Sequence, residues 1–143
     1  MAEKQKVLFL CTGNSCRSQM AEGFLRDMAG DRFEVYSAGL KPSSVNPLAI
    51  KAMDGVGVDI SSHTSDSLDK YLGQNFHHLI TVCDHAKESC PIFPGTGESH
   101  HWGFDDPAEA EGTDPERFTV FCRVRDEIQH RIHQWSKTLT PSQ

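Results

Sequence analysis

The apolar run Val7-Leu8-Phe9-Leu10 ends on a cysteine, and the chain then passes through Cys11-Thr12-Gly13-Asn14-Ser15-Cys16-Arg17-Ser18 into a segment with Met20, Phe24 and Met28 at four-residue spacing. Four consecutive apolar residues without alternation suit a strand buried on both faces, as at the centre of a parallel sheet. The four-residue spacing marks one face of a helix, predicted over Ser18 to Met28. A buried strand that turns through a short loop into a helix commits the chain to strand–helix–strand layering. It also puts Cys11 at the carboxyl end of a strand and Arg17 at the entrance to a helix.

The rest of the chain keeps that alternation. Phe33-Glu34-Val35-Tyr36 has the period of a half-buried strand and is expected to stop at Ser37-Ala38-Gly39. A helix is predicted from Pro47 to Met53, with Asn46 as its cap and Pro47 as its first residue. A short helix capped by Ser65 is expected over Ser65 to Leu72. His78-Leu79-Ile80-Thr81-Val82 reads as the next buried strand, so Cys83 stands at a strand end equivalent to that of Cys11. A Gly/Pro-rich loop through Pro91, Pro94, Gly95 and Gly97 leads to a short strand near His101 to Phe104, then to Asp105-Asp106-Pro107. The last helix begins at Thr113 or Asp114 as cap, with Pro115 following, and carries Phe118, Phe121, Cys122, Ile128, Ile132 and Trp135 on one face. The fold class expected is α/β: an open four-stranded parallel sheet with helices on both faces. In such sheets ligands bind beyond the carboxyl ends of the strands, where Cys11, Cys83 and Asp106 all fall.

Size and charge narrow the classes of function. The 143 residues suit one domain, 1–143, without repeats or linkers; a chain of this length buries roughly two-thirds of its unfolded surface and needs no disulfide or metal staple. The net charge of -6 disfavours nucleic acid and anionic membrane as partners, so an anion would need a local site. No apolar stretch approaches the ~20 residues that span a bilayer. With no secretion signal and an odd count of 5 cysteines, at 11, 16, 83, 90 and 122, a cytoplasmic protein with reduced, reactive thiols is expected.

The loop after the first strand has the composition of an anion cradle. Backbone N–H groups of residues 12 to 17, the positive end of the following helix and Arg17 converge where a tetrahedral oxyanion would sit. Arg17 is able to grip two oxygens at once, which lysine cannot do with the same fork. Gly13 permits a backbone conformation that other residues resist, and Asn14 supports the loop through side-chain hydrogen bonds. Cys11 lies beneath as nucleophile: a helix N-terminus and a nearby cation bring a thiol from a pKa of about 8.5 into the range of roughly 3.5–7.5. Ser18 donates its hydroxyl to the sulfur and stabilises the thiolate. Cys16, inside the loop, and Cys122, on the apolar face of the last helix, are read as spectators, Cys122 as packed core without nearby cations.

The stretch Cys-Thr-Gly-Asn-Ser-Cys-Arg-Ser-Gln-Met-Ala-Glu resembles the phosphate loop of the low-molecular-weight protein tyrosine phosphatases, and Asp106-Pro107 resembles their general-acid loop. Cys83-Asp84-His85-Ala86-Lys87-Glu88-Ser89-Cys90-Pro91 is similar to the thioredoxin-coupled arsenate reductases, a branch of that fold. The likeness runs from about Val7 to the last helix and includes Ser37-Ala38-Gly39.

The resemblance implies an oxidoreductase of arsenic detoxification. It implies that Thr12, Gly13, Asn14, Ser15, Cys16 and Arg17 bind the oxyanion, that Cys11 forms an adduct with arsenate, and that arsenite is released as a Cys11–Cys83 disulfide forms. Cys90 then attacks Cys83, and the Cys83–Cys90 disulfide is presented to thioredoxin. If residues 84 to 89 begin as a helix, Cys83 and Cys90 stand ~10 Å apart along its axis, beyond the about 4.4–6.8 Å between Cα atoms that a disulfide allows, so that segment is expected to unwind on oxidation. Asp106 is the implied general acid; its neighbour Asp105 offers a way to keep it protonated, since two close carboxylates resist ionising together. No tightly bound cofactor is expected, though the likeness to some relatives extends to a potassium site at Asn14, Glu22, Ser37 and Asp66. A monomer is the default.

Other readings use the same residues. A tyrosine phosphatase needs only Cys11, Arg17 and Asp106, yet phosphatases of this fold carry aromatic residues after the Asp-Pro pair, where this chain has Ala108 and Glu109; only weak phosphatase activity is expected. An oxyanion-binding or thiol-sensing module would tolerate replacement of Cys11. Zinc held by Cys83, His85, Cys90, His100 and His101 is disfavoured because the cysteine spacing is wider than that of zinc ligand pairs. The pairs His77-His78 and His100-His101 are read as solvated or loop residues.

Overall fold

The computed structural model describes residues 5–11, 13, 16–41, 43–71, 73–82 and 98–138. Strand β1 (Gln5–Cys11) leads into helix α1 (Arg17–Ala29), strand β2 (Phe33–Gly39) and helix α2 (Pro47–Asp54). After them come a 3-10 turn (Leu68–Tyr71), strands β3 (His78–Thr81) and β4 (Glu98–His101), a second 3-10 turn (Pro107–Glu109) and the long helix α3 (Asp114–Thr138). The strands form one sheet in the order β2-β1-β3-β4, parallel throughout. The expected four-stranded parallel α/β sheet is therefore present.

β1 lies between β2 and β3, and Val7 to Leu10 are fully buried, as an unalternated apolar run requires. Ser37 meets Glu22 of α1, while its neighbour Tyr36 points the other way and packs on Tyr71 and Phe76. On the α1 side, Trp135 of α3 packs against Phe33 and His78, and Trp102 against Phe9, so α3 closes the same face. The opposite face is covered by the 3-10 turn that carries Tyr71. Among the described residues, no helix is long and apolar enough to cross a membrane.

Caps follow local chemistry. Asn46 Oδ1 accepts from Leu48 N–H at 2.8 Å and opens α2 as predicted. α3 opens with a capping box: Glu116 Oε1 accepts from the Thr113 backbone and hydroxyl at 3.1 and 2.9 Å, and Thr113 Oγ1 accepts from Glu116 N–H at 3.3 Å.

Three local expectations need correction. β2 continues through Ser37-Ala38-Gly39, because Cys11 and Gly39 are register partners and the pairing with β1 runs to the end of both strands. β4 lies over Glu98–His101 instead of His101 to Phe104: its parallel partner β3 ends at Thr81, whose carbonyl accepts from Trp102 N–H at 2.8 Å, so pairing stops there. Ser65 caps no helix; its hydroxyl donates to Gly13, and the shorter turn is opened by Ser67, whose Oγ accepts from Asp69 N–H.

Candidate active site

The carboxyl end of β1 leads into the N-terminus of α1, whose first residue, Arg17, reaches the chain beyond β4 at Phe104. Cys11 ends β1, is almost fully buried, and its carbonyl accepts from Leu40 N–H at 3.2 Å, tying the strand end to the loop after β2. Of the loop, Gly13 is described: its carbonyl accepts from Ser65 Oγ at 3.0 Å and Ser43 N–H at 3.2 Å. Those donors tie Gly13 to the chain after β2 and to the segment before the first 3-10 turn. Thr12, Asn14 and Ser15 lie outside the described residues, as do Cys83 and Cys90 with the segment between them.

Cys16 is buried and holds the N-cap position of α1 without a side-chain cap, and the first turn of α1 contains no acidic residue. The positive end of a 13-residue helix is therefore not offset by a carboxylate of its own first turn. Ser18, the second helical residue, is fully buried.

Arg17, the first residue of α1, joins this corner to the chain after β4. Its Nη1 donates to the Phe104 carbonyl at 3.0 Å, and its Nη2 lies 3.4 Å from Asp106 Oδ2. The Arg17 side chain is 10% exposed and that of Asp106 is 29% exposed, so the pair is partly screened from solvent. Arg17 Nε is buried and has no hydrogen-bond partner among the described residues. A buried guanidinium N–H left in this way is costly unless an acceptor meets it, and an oxyanion seated at the α1 N-terminus would supply one.

Asp106 caps the second 3-10 turn, its Oδ1 accepting from Ala108 N–H at 3.0 Å, while Pro107 sits buried behind it. The expected pairing of charges differs here. Asp105 turns outward, and its Oδ2 takes Arg123 of α3 at 3.2 Å. Each of the two adjacent carboxylates has its own arginine, so the like-charge arrangement expected between them gives way to two ion pairs. Cys122 also departs from expectation, since Arg125 Nη1 donates toward its sulfur at 3.6 Å.

Beneath α1, Glu22 accepts from Ser37 Oγ and ion-pairs with Arg26, and His63 Nε2 lies 4.0 Å from the same carboxylate. The Asp66 carbonyl accepts from Gly39 N–H at 2.8 Å. Of the four residues of the potassium expectation, Glu22 and Ser37 are joined directly, Asp66 is tied to the end of β2 through Gly39, and Asn14 lies outside the described residues.

The bracing groups Ser43, Ser65, the Phe104 carbonyl and Arg123 were not legible as parts of the site. Each acts across the fold, and no short-range pattern marks it.

A family model described as low molecular weight phosphotyrosine protein phosphatase matches residues 6–143. The arsenate reductase of Halalkalibacterium halodurans is 54% identical over 135 residues, 94% of this chain and 97% of that protein. Among solved structures, an arsenate reductase in the oxidized state superposes with a TM-score of 0.82 at 31% identity, covering 95% of this chain and 99% of that one. A thioredoxin-dependent arsenate reductase of Corynebacterium glutamicum superposes with a TM-score of 0.73 at 28% identity, covering 96% of this chain and 62% of that one. With the match running from β1 to the chain end, the chain belongs to the low molecular weight phosphotyrosine protein phosphatase family.

Proposed function

We infer that this protein reduces arsenate to arsenite through a covalent adduct on Cys11 and a relay of three thiols, with thioredoxin as the reductant. The observation that carries the reading is the Arg17 side chain at the start of α1, bound to Phe104 and Asp106 with a buried Nε–H to spare. The high identity to an arsenate reductase supports reduction over hydrolysis, and the thioredoxin dependence of one structural relative supports the choice of reductant.

In this reading the α1 N-terminus, the loop N–H groups and Arg17 hold the oxyanion. The Cys11 thiolate attacks arsenic, forming an S–As bond, and one oxygen leaves as water after taking a proton from Asp106, which takes up that proton when the bound oxyanion draws Arg17 away from its carboxylate. Cys83 thiolate then attacks the Cys11 sulfur. The S–S bond forms, the S–As bond breaks, and its electron pair stays on arsenic, which leaves as arsenite in the +3 state. Cys90 attacks Cys83 and frees Cys11 as thiolate; a dithiol of thioredoxin takes over the Cys83–Cys90 bond by the same exchange. Phosphorus does not readily accept the electron pair, so a phosphate ester on the same loop is only hydrolysed. Ala108 and Glu109 after Pro107 leave no aromatic wall for an aryl ester, which disfavours the phosphatase reading.

NADPH oxidation coupled through thioredoxin and its reductase tests the relay. The native chain turns over with arsenate; Cys11→Ser and Cys83→Ser release no arsenite, and Cys90→Ser releases one arsenite per chain and stops. Sustained turnover in the Cys83→Ser protein would refute it.

A further inference from the structure

Of the two histidine pairs read from sequence as solvated or loop residues, His78 begins β3 and His100-His101 ends β4, and His78 and His100 are drawn into a cluster remote from Cys11. His78 opens β3 and is buried; Glu98 and His100 are on β4, with Glu98 the register partner of His78. In a parallel pair, His78, Glu98 and His100 share one face of the sheet. His100 Nε2 is 3.4 Å from His78 Nδ1 and 3.8 Å from Glu98 Oε1, and the three donor atoms all lie within 4.8 Å of one another.

We propose that His78, Glu98 and His100 form a binding site for one zinc ion, which clips the start of β3 to β4 at the end of the sheet opposite Cys11. Two ligand atoms that each lie 2.0–2.1 Å from a tetrahedral ion are about 3.3 Å apart. The imidazole nitrogens already stand at that spacing. Glu98 has a side chain 64% exposed and needs to move only slightly to bring its oxygen in. Two imidazoles and a carboxylate suit zinc over magnesium or calcium, with water at the fourth position.

A second feature orients the site. His78 Nε2 lies 3.0 Å from Gln5 Oε1 on β1. An amide oxygen only accepts, so His78 carries its proton on Nε2 and directs the lone pair of Nδ1 toward His100. This is the outer hydrogen bond that metal-binding histidines characteristically make. Trp135 walls the inner side, with its ring 5.0 Å from that of His78 and 5.9 Å from that of His100, while exposed Glu98 leaves a path from solvent. The site is independent of the reductase reading, since it uses no residue of the oxyanion corner.

Zinc titration of the full chain labelled with nitrogen-15 at histidine tests the site, because the imidazole resonances separate it from the thiols. His78 Nδ1 and His100 Nε2 are expected to shift together and to saturate with one ion. His100→Gln is expected to abolish the His78 response, and the exposed Glu98→Gln to weaken it by about 10-fold or more. The Glu98 variant keeps the test open if a change at a histidine impairs folding. Zinc uptake that leaves both imidazoles unshifted would overturn the proposal, as would a His78 response of unchanged affinity in either variant.

Discussion

Arg123 of α3 holds the Asp105 carboxylate at 3.2 Å, one residue before the Asp106 that faces Arg17. The same guanidinium takes Glu127 one turn on at 2.8 Å, so its position is fixed from both sides. Arg123 thus works as a positioning residue: it fastens the loop bearing Asp106 to the longest helix of the fold. Arg123→Ala is expected to lower kcat for arsenate several-fold while KM and Tm stay near native, since exposed ion pairs add little stability. Arg123→Lys restores part of the rate. Steady-state kinetics and thermal unfolding of both variants check this; a kcat that does not change would show that the loop holds itself.

The parts of the site legible in sequence are those whose chemistry is local. Strand run, cysteine, loop and helix start all fall between Val7 and Ser18, and periodicity with the needs of an anion locates them without tertiary knowledge. Asn46 is legible as a cap for the same reason, as is Thr113 as one of two candidate caps, while the reciprocal bond from Glu116 is seen in the structure. The braces are not: Arg17 reaches Phe104 across 87 residues of chain, and Ser65 bonds Gly13 across 52. A serine before a short polar segment looks like a cap whether it faces its own helix or another loop. The extent of β4 is set by where β3 ends, and the burial of His78 and the strand positions of His100 and His101 are set by register, neither of which a local pattern carries; His77 is exposed, as read. Cys83 and Cys90, which separate reductase from phosphatase, were singled out by the likeness and lie outside the described residues.

Gly23 shows what periodicity cannot supply. It lies in the middle of α1, where glycine is a poor helix former, yet a Cβ there would stand 2.7 Å from Ile60 Cγ2 and 3.2 Å from Met53 Cε. Both neighbours are fully buried and have little room to yield. Gly23→Ala gains about 1 kcal/mol of helix propensity and pays about 1–3 kcal/mol of overpacking, so packing wins and the variant is expected to be less stable by on the order of 1 kcal/mol. Urea unfolding of the two proteins decides it, and a variant as stable as the native chain would mean that the segment after α2 shifts freely.

His63 couples stability to pH. Its Nδ1 meets Gln19 Oε1 at 2.9 Å and so carries the proton, while its Nε2 lies 3.2 Å from Arg26 Nη1, the donor it accepts from. Burial pushes the pKa of this imidazole below its ordinary 6.5; Glu22 opposes the shift and Arg26 assists it. The unfolded chain takes up a proton near 6.5, whereas folded His63 resists until lower pH, so the unfolded state binds more protons in between. Stability is therefore full above about pH 6.5 and falls as the pH drops through the folded pKa. Burial lowers the pKa of His78 as well, which adds to the same slope. Gln in place of His63 still donates to Gln19 and accepts from Arg26 but does not titrate. Urea midpoints between pH 7.5 and 5.5 are expected to fall less steeply in His63→Gln than in the native chain, with the remaining slope left to His78 and the carboxylates. Identical slopes would place the pH dependence elsewhere, because at position 63 the only property removed is the ability to take up a proton.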